Sequence, residues 1–266
     1  MLHRLLFYLL LMLAPMLLGS NRPLFWSVNG VLSAIILAGF VWSEFGRGRS
    51  QSDWRLPFMA ISAQAAVGAW IAFQASSWTP KMWHHPIWSI SPLLSNSHGA
   101  ISADPSQTWQ TLGWWCTLAI FIVAVRIGTS PRRALFLLKL MVAVCLLVAT
   151  FGLAAEWFSL NTLGLLQKTH YLGWLTGTFV SRNTAATFIG MGLIIAMALA
   201  GREIDRNWIR QRSVFSNFLD LIVGAGGFYT LVAGVLFASL LLTGSRGGTA
   251  TVVLGGGLLC ALKLMK

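Results

Sequence analysis

Charge is what this sequence has least of. Only 10% of its 266 residues are charged, against 56% hydrophobic and a mean hydropathy of +0.71. That balance excludes a water-soluble globule of ordinary surface. Cysteine is scarce too: Cys116, Cys145 and Cys260 lie in apolar runs without CxxC spacing. Neither a disulfide framework nor a zinc site is supported, and all three read as small apolar packing residues. No nucleotide-binding loop, metal-ligand spacing, linker or low-complexity tract occurs. The expectation is therefore no metal, no cofactor and no sizeable soluble module.

What the sequence has instead is a succession of apolar runs. Eight read as membrane spans, at about 5–18, 24–42, 56–75, 109–126, 135–154, 183–200, 219–242 and 249–264. The expected fold is all-α, a polytopic transmembrane helix bundle forming one membrane domain over 1–266. Residues 1–20 have the outline of a signal peptide, with His3 and Arg4 ahead of an apolar run. Met16 to Ser20, however, offers no small-x-small cleavage site, so the segment reads as an uncleaved first helix.

Lys and Arg favour the cytoplasmic side of short loops. With the N-terminus inside, the cytoplasmic set is Arg4, Arg47, Arg49, Arg55, Arg126, Arg132, Arg133, Lys139, Arg202, Arg206, Arg210, Arg212, Lys263 and Lys266. That is fourteen of nineteen cations, nine of them in inner loops at about 43–55, 127–134 and 201–218 and the others near span ends or the termini. Arg22, Lys81, Lys168, Arg182 and Arg246 then face outward, and an even number of spans returns the C-terminus to the cytoplasm. The net charge of +12 is spread among these loops instead of forming one patch. That distribution favours anionic lipid headgroups over nucleic acid as the partner. Trp70, Trp78, Trp83, Trp88, Trp109, Trp114 and Trp115 flank one outer loop, at the depth where tryptophan anchors to the interface.

Two outer loops, at about 76–108 and 155–182, are long enough to do more than connect. The first holds Lys81, His84, His85, His98 and Asp104. Adjacent His84 and His85 diverge on any regular element, and HxxxH and HExxH spacings are missing, so a metal is not expected. Asp104 before Pro105 reads as a helix cap with proline in the first turn.

The second loop ends in Gly177-Thr178-Phe179-Val180-Ser181-Arg182-Asn183, and a later span ends in Thr243-Gly244-Ser245-Arg246-Gly247-Gly248. A guanidinium at a membrane boundary is costly unless it binds something, although snorkelling to headgroups is the plainer alternative. Both arginines are expected on the outer side, where two planar forks suit a phosphorylated lipid head. Asn183 is placed to cap a helix whose first amides add partial positive charge. Ser245 and Thr243 supply hydroxyls to the same site. Gly244, Gly247 and Gly248 permit close approach of a ligand or a neighbouring helix, whereas Gly255 to Gly257 read as helix packing alone.

The ordered pair of motifs resembles the O-antigen ligase and O-antigen polymerase superfamily. In that superfamily a Gly-x-Phe-x-(Asn or Ser)-Arg-Asn segment precedes one helix and a Ser-Arg-Gly segment follows further on. Ile101-Ser102-Ala103-Asp104-Pro105, with Thr108 and Leu112, is also similar to the start of a helix in those proteins. The resemblance implies transfer of a glycan from an undecaprenyl diphosphate carrier at the periplasmic face of a bacterial inner membrane. It implies a role in lipopolysaccharide or other polysaccharide biosynthesis. By position, Arg182 and Arg246 inherit the grip on the donor diphosphate, with Asn183 and Ser245 beside them.

Family members continue through a large periplasmic loop bearing a functional histidine, and this sequence shows no equivalent of it. The expectation is thus the donor-binding part of a glycosyltransferase, with a partner chain or further sequence supplying the rest. The catalytic residue is left unassigned, with His170 and Glu156 as outside candidates for a general base. Two other readings stay open. One is a transporter component, which would need polar or broken helices near the bilayer midplane; few charges lie within the spans, and Asp220 falls at a cytoplasmic end. The other is a non-catalytic membrane assembly protein packing through its glycine-rich helices.

Overall fold

The computed structural model describes residues 2–20, 22–45, 55–90, 98–164, 166–207 and 224–265, and these form helices with no named strand. In chain order the α-helices are α1 (Leu2–Met16), α2 (Pro23–Phe45), α3 (Arg55–Ala75), α4 (Ile87–Ile90), α5 (Pro105–Thr117), α6 (Ala119–Gly128), α7 (Pro131–Trp157), α8 (Arg182–Asn207), α9 (Ala225–Leu242) and α10 (Arg246–Leu264). Arg47, Arg49, Arg210, Arg212, Asp220 and Lys266, with much of the expected inner loops at 43–55 and 201–218, lie outside the described residues.

Six stretches are long and apolar enough to cross a membrane: Pro23–Ser43, Pro57–Ala75, Pro105–Gly128, Pro131–Trp157, Arg182–Arg206 and Ala225–Leu242. The chain is thus a multi-pass membrane protein of helical type, the only open architecture that satisfies every backbone group within the bilayer. The expected first span lies in α1, which at 15 residues is short for a crossing. The expected eighth span lies in α10, outside these six. The fourth expected span, 109–126, is drawn from two helices. Leu118 keeps right-handed helical dihedrals, and its N–H reaches Trp115 O at 3.1 Å. That i→i−3 bond tightens one turn between α5 and α6.

The described helices fall into two compact units. The first comprises Met1–Leu11 and Arg22–Pro131. Within it α2 lies against α5 and α6, and α3 lies along α5. Gly30 of α2 meets the Gly113 carbonyl so closely that a Cβ would collide, which is how small residues bring two membrane helices together. Gln64 and Trp115 tie α3 to α5 with two reciprocal bonds. The Trp115 indole donates to Gln64 O (2.9 Å), and the Gln64 amide donates to Trp115 O (3.2 Å).

The second unit comprises Met12–Asn21 and Arg132–Lys266. Its centre is α8, which packs on α9 and α10. Small residues explain the central position. Gly192 leaves room for Cys145 of α7, Gly190 leaves room for Val252 of α10, and Ala185, Ala186 and Ala196 are fully buried between them. Ile189, Leu193, Val232, Leu236 and Leu240 complete this core. Cys145 is an interior packing residue whose thiol donates to Phe188 O (3.4 Å).

Candidate functional site at the starts of α8 and α10

Arg182 is the first residue of α8 and Arg246 the first of α10. Each helix start is built by a serine just before its arginine. Ser245 is the N-cap of α10, and its Oγ accepts from Gly248 N at 3.1 Å. Ser181 Oγ accepts from Asn183 N at 3.3 Å. Ser181 thus fills the position expected of Asn183, which lies inside the first turn instead. Short polar side chains stabilise a helix start by satisfying orphan amides, and the serine stands two residues ahead of the asparagine, just outside the helix.

Asn183 has a different task. Its Oδ1 accepts a 3.0 Å hydrogen bond from Ser245 Oγ, joining the start of α8 to the start of α10. Ser245 is 4% exposed whereas Asn183 is exposed, so the bridge runs from the core to the surface. With Oδ1 engaged, the Asn183 amide retains N–H groups for donation. Thr243, fully buried, donates to Leu240 O (2.6 Å) and accepts from Ser245 N (3.2 Å), so its hydroxyl shapes the turn. The glycines divide by use. Gly248 packs on α8, where a Cβ would lie 2.5 Å from Ala186 Cβ, and Gly255 packs on Ile194. Gly247 has open space beside it.

The two arginines differ in setting. Arg246 is exposed, whereas Arg182 is half-buried with its Cζ 5.1 Å from the Trp174 ring centroid and 5.7 Å from that of Tyr171. Both distances lie within the range where an aromatic face attracts a cation. Trp174 in turn packs on Gly244, which is at φ +62° and has no Cβ to obstruct the indole. Main-chain bonding fixes the same segment, since Leu175 N donates to Leu242 O at 3.0 Å. The end of the 158–181 loop is thereby seated on the turn between α9 and α10, with Leu175 to Phe179 buried beneath.

Glu156 and His170, the outside candidates for a base, are both placed. Glu156 is paired with the Lys168 ammonium, which also donates to Trp174 O (2.6 Å). His170 is exposed, with Nδ1 3.1 Å from Thr169 Oγ1. From the sequence, Lys168 is expected only to face outward. Its 6% exposure and its two partners make it part of the scaffold of Arg182. A signal was present, because Glu156 and Asp104 are the only acidic residues in the expected outer segments, and Lys168 is a near neighbour of the first. Tyr171 and Trp174 carried no comparable signal among so many aromatic residues.

In the first unit, the loop histidines are engaged with local backbone. His84 Nε2 lies 2.9 Å from Thr79 O, and His85 Nδ1 accepts from Ile87 N at 3.3 Å. Among the described residues no group of three or more His, Cys, Asp or Glu could hold a metal ion. Trp88 and Trp115 donate across the unit, while Trp70, Trp78, Trp83, Trp109 and Trp114 are exposed. Trp78, Trp109, Phe73 and His98 line an open cavity of about 610 Å³. Asp104 caps α5 as expected, accepting from Ser106 Oγ (2.6 Å) and Gln107 N (3.1 Å). The Ser106 hydroxyl and then the Gln107 amide hold its carboxyl below the usual carboxylate range.

Chemically, the starts of α8 and α10, tied by the Ser245–Asn183 bond, carry two arginines and an asparagine amide. Such donors suit a multiply charged oxyanion. No family model, no curated protein and no solved structure matches this chain.

Proposed function

We propose that this protein is an O-antigen ligase-like membrane protein that binds an undecaprenyl diphosphate-linked glycan by its diphosphate, at the periplasmic face of a bacterial inner membrane. The observation that carries the reading is the Ser245–Asn183 hydrogen bond of 3.0 Å. Each partner is next in sequence to one of the two arginines, so two motifs far apart in the chain start neighbouring helices. The motif pair itself resembles that superfamily, and six apolar helices provide the membrane setting that a lipid-linked donor needs.

The chemistry follows from charge. When the bond between the sugar and the diphosphate breaks, the departing diphosphate gains negative charge. Guanidinium donors already in place stabilise it most at that moment. Arg182, within cation–aromatic distance of two rings, is preorganised for this role. Arg246, exposed at the start of α10, completes the grip from the other helix. Glu156 is engaged by Lys168, and the group that deprotonates the acceptor hydroxyl is left unassigned.

Binding of undecaprenyl diphosphate to the chain in nanodiscs, with undecaprenol as the uncharged control, tests the reading. Arg182→Lys and Arg246→Lys should each weaken binding by roughly ten- to a hundredfold, the value of one charge-assisted hydrogen bond or two. Undecaprenol binding should not change. Equal binding of diphosphate and alcohol by the wild type, or unchanged affinity in both variants, would overturn it.

A further inference from the structure

We propose that Lys168 is a positioning residue that holds the aromatic seat of Arg182. Three observations converge on it. Lys168 is 6% exposed, and its ammonium is satisfied by the Glu156 carboxylate and by Trp174 O at 2.6 Å. A buried ammonium persists only where such partners replace its water. Trp174, whose carbonyl is held this way, presents its ring to Arg182 Cζ at 5.1 Å. The other side of that indole is fixed by Gly244, where any side chain would collide with it.

Tyr171 adds an independent sign that this loop is built for the arginine. It adopts φ +57°, a left-handed conformation unusual for a bulky residue, and Trp174 N closes the turn onto Tyr171 O at 3.2 Å. Strain of this kind persists only where surrounding contacts over-determine it. Lys168 binds the carbonyl of Trp174, and the turn from Tyr171 to Trp174 carries both rings that flank Arg182. The chain of contact runs from Glu156 at the end of α7, through Lys168, to Trp174, and from there to Arg182 at the start of α8 and Gly244 before α10. Lys168 acts through these rings and touches no part of the donor.

The effect on donor affinity rests on the proposed function, whereas the effect on Arg182 itself does not. The experiment therefore has two readouts on the full chain in nanodiscs. The first is the rate at which phenylglyoxal modifies Arg182, followed by peptide mass spectrometry, with Arg246 as internal reference. The double variant Glu156→Gln, Lys168→Met removes both charges together, leaving no unpaired buried ion. It should expose Arg182 and raise its modification rate roughly fivefold, with Arg246 unchanged, as expected for loss of one cation–aromatic contact. Lys168→Arg, which keeps the charge and the donors, should stay near the wild-type rate. Lys168→Gln, less disruptive to folding, should raise the rate by a smaller factor.

The second readout is undecaprenyl diphosphate affinity, which should fall roughly tenfold in the double variant and be restored in Lys168→Arg. Wild-type Arg182 reactivity in the folded double variant and in Lys168→Gln would overturn the positioning role. If the wild type itself fails to bind undecaprenyl diphosphate, the functional reading falls. The modification rates would still decide the role of Lys168.

Discussion

Ser245 Oγ donates to Asn183 Oδ1 at 3.0 Å across 62 positions of sequence, and the same oxygen accepts from Gly248 N at 3.1 Å. One hydroxyl thus starts a helix and ties it to its neighbour. Ser245→Ala should remove both functions and destabilise the second unit by about 1–2 kcal/mol. Asn183→Ala should cost less, because only the bridge is lost. In a double-mutant cycle followed by denaturant unfolding in detergent, the pair should show a coupling of about 0.5–1.5 kcal/mol. Strict additivity would mean that the bridge contributes nothing to stability.

Gly248 of α10 and Gly192 of α8 sit at close approaches between α8 and its neighbours. A Cβ at Gly248 would lie 2.5 Å from Ala186 Cβ, and one at Gly192 would collide with Cys145. Gly248→Ala and Gly192→Ala should each destabilise by about 1–3 kcal/mol through overpacking. Gly247→Ala and Gly257→Ala, with open space at the Cβ position, should be nearly neutral. Thermal unfolding in detergent separates the two pairs, and equal losses in all four would contradict the packing.

Asp104 gives the cap of α5 a pH dependence. Its folded-state pKa lies below the ordinary value of 3.8 because Ser106 and Gln107 donate to the carboxylate. A depressed acid contributes stability that is fully present above its unfolded pKa and is lost as pH falls through the folded value. The wild type should therefore hold constant stability at neutral pH and lose this contribution only below about pH 4. Asp104→Asn should lack that acid step, and identical acid profiles for the two proteins would sink the assignment.

The expected orientation is open to direct measurement. Single cysteines placed at His170 and at Ser130, in a background lacking the three native thiols, should label from opposite sides of a sealed membrane, with His170 outside. Labelling of His170 from inside and Ser130 from outside would reverse the charge-based topology and remove the periplasmic setting of the arginines, and labelling of both from one side would contradict the span between them.

The sequence by itself determined the class, because hydropathy and charge sum over the chain without regard to contacts. Twenty consecutive apolar residues are long enough to cross a bilayer whatever packs beside them. It also determined the cap at Asp104, since Asp104, Pro105, Ser106 and Gln107 interact within one turn. The arginines were legible for a similar reason, as charges placed where apolar runs end.

Only the tertiary structure decided which of these residues meet. Asn183 reads locally as a cap, yet Ser181 takes that place and Asn183 bonds across to Ser245, because α8 and α10 approach through Gly248 and Ala186. Gly244 reads as room for a ligand or a neighbouring helix, and the Trp174 indole fills it. Lys168 reads only as an outward-facing cation and is buried against Glu156 and the Trp174 carbonyl. Each reversal has the same physical cause. Local propensity fixes what a residue can donate, accept or fill, but its partner is set by how helices distant in sequence pack.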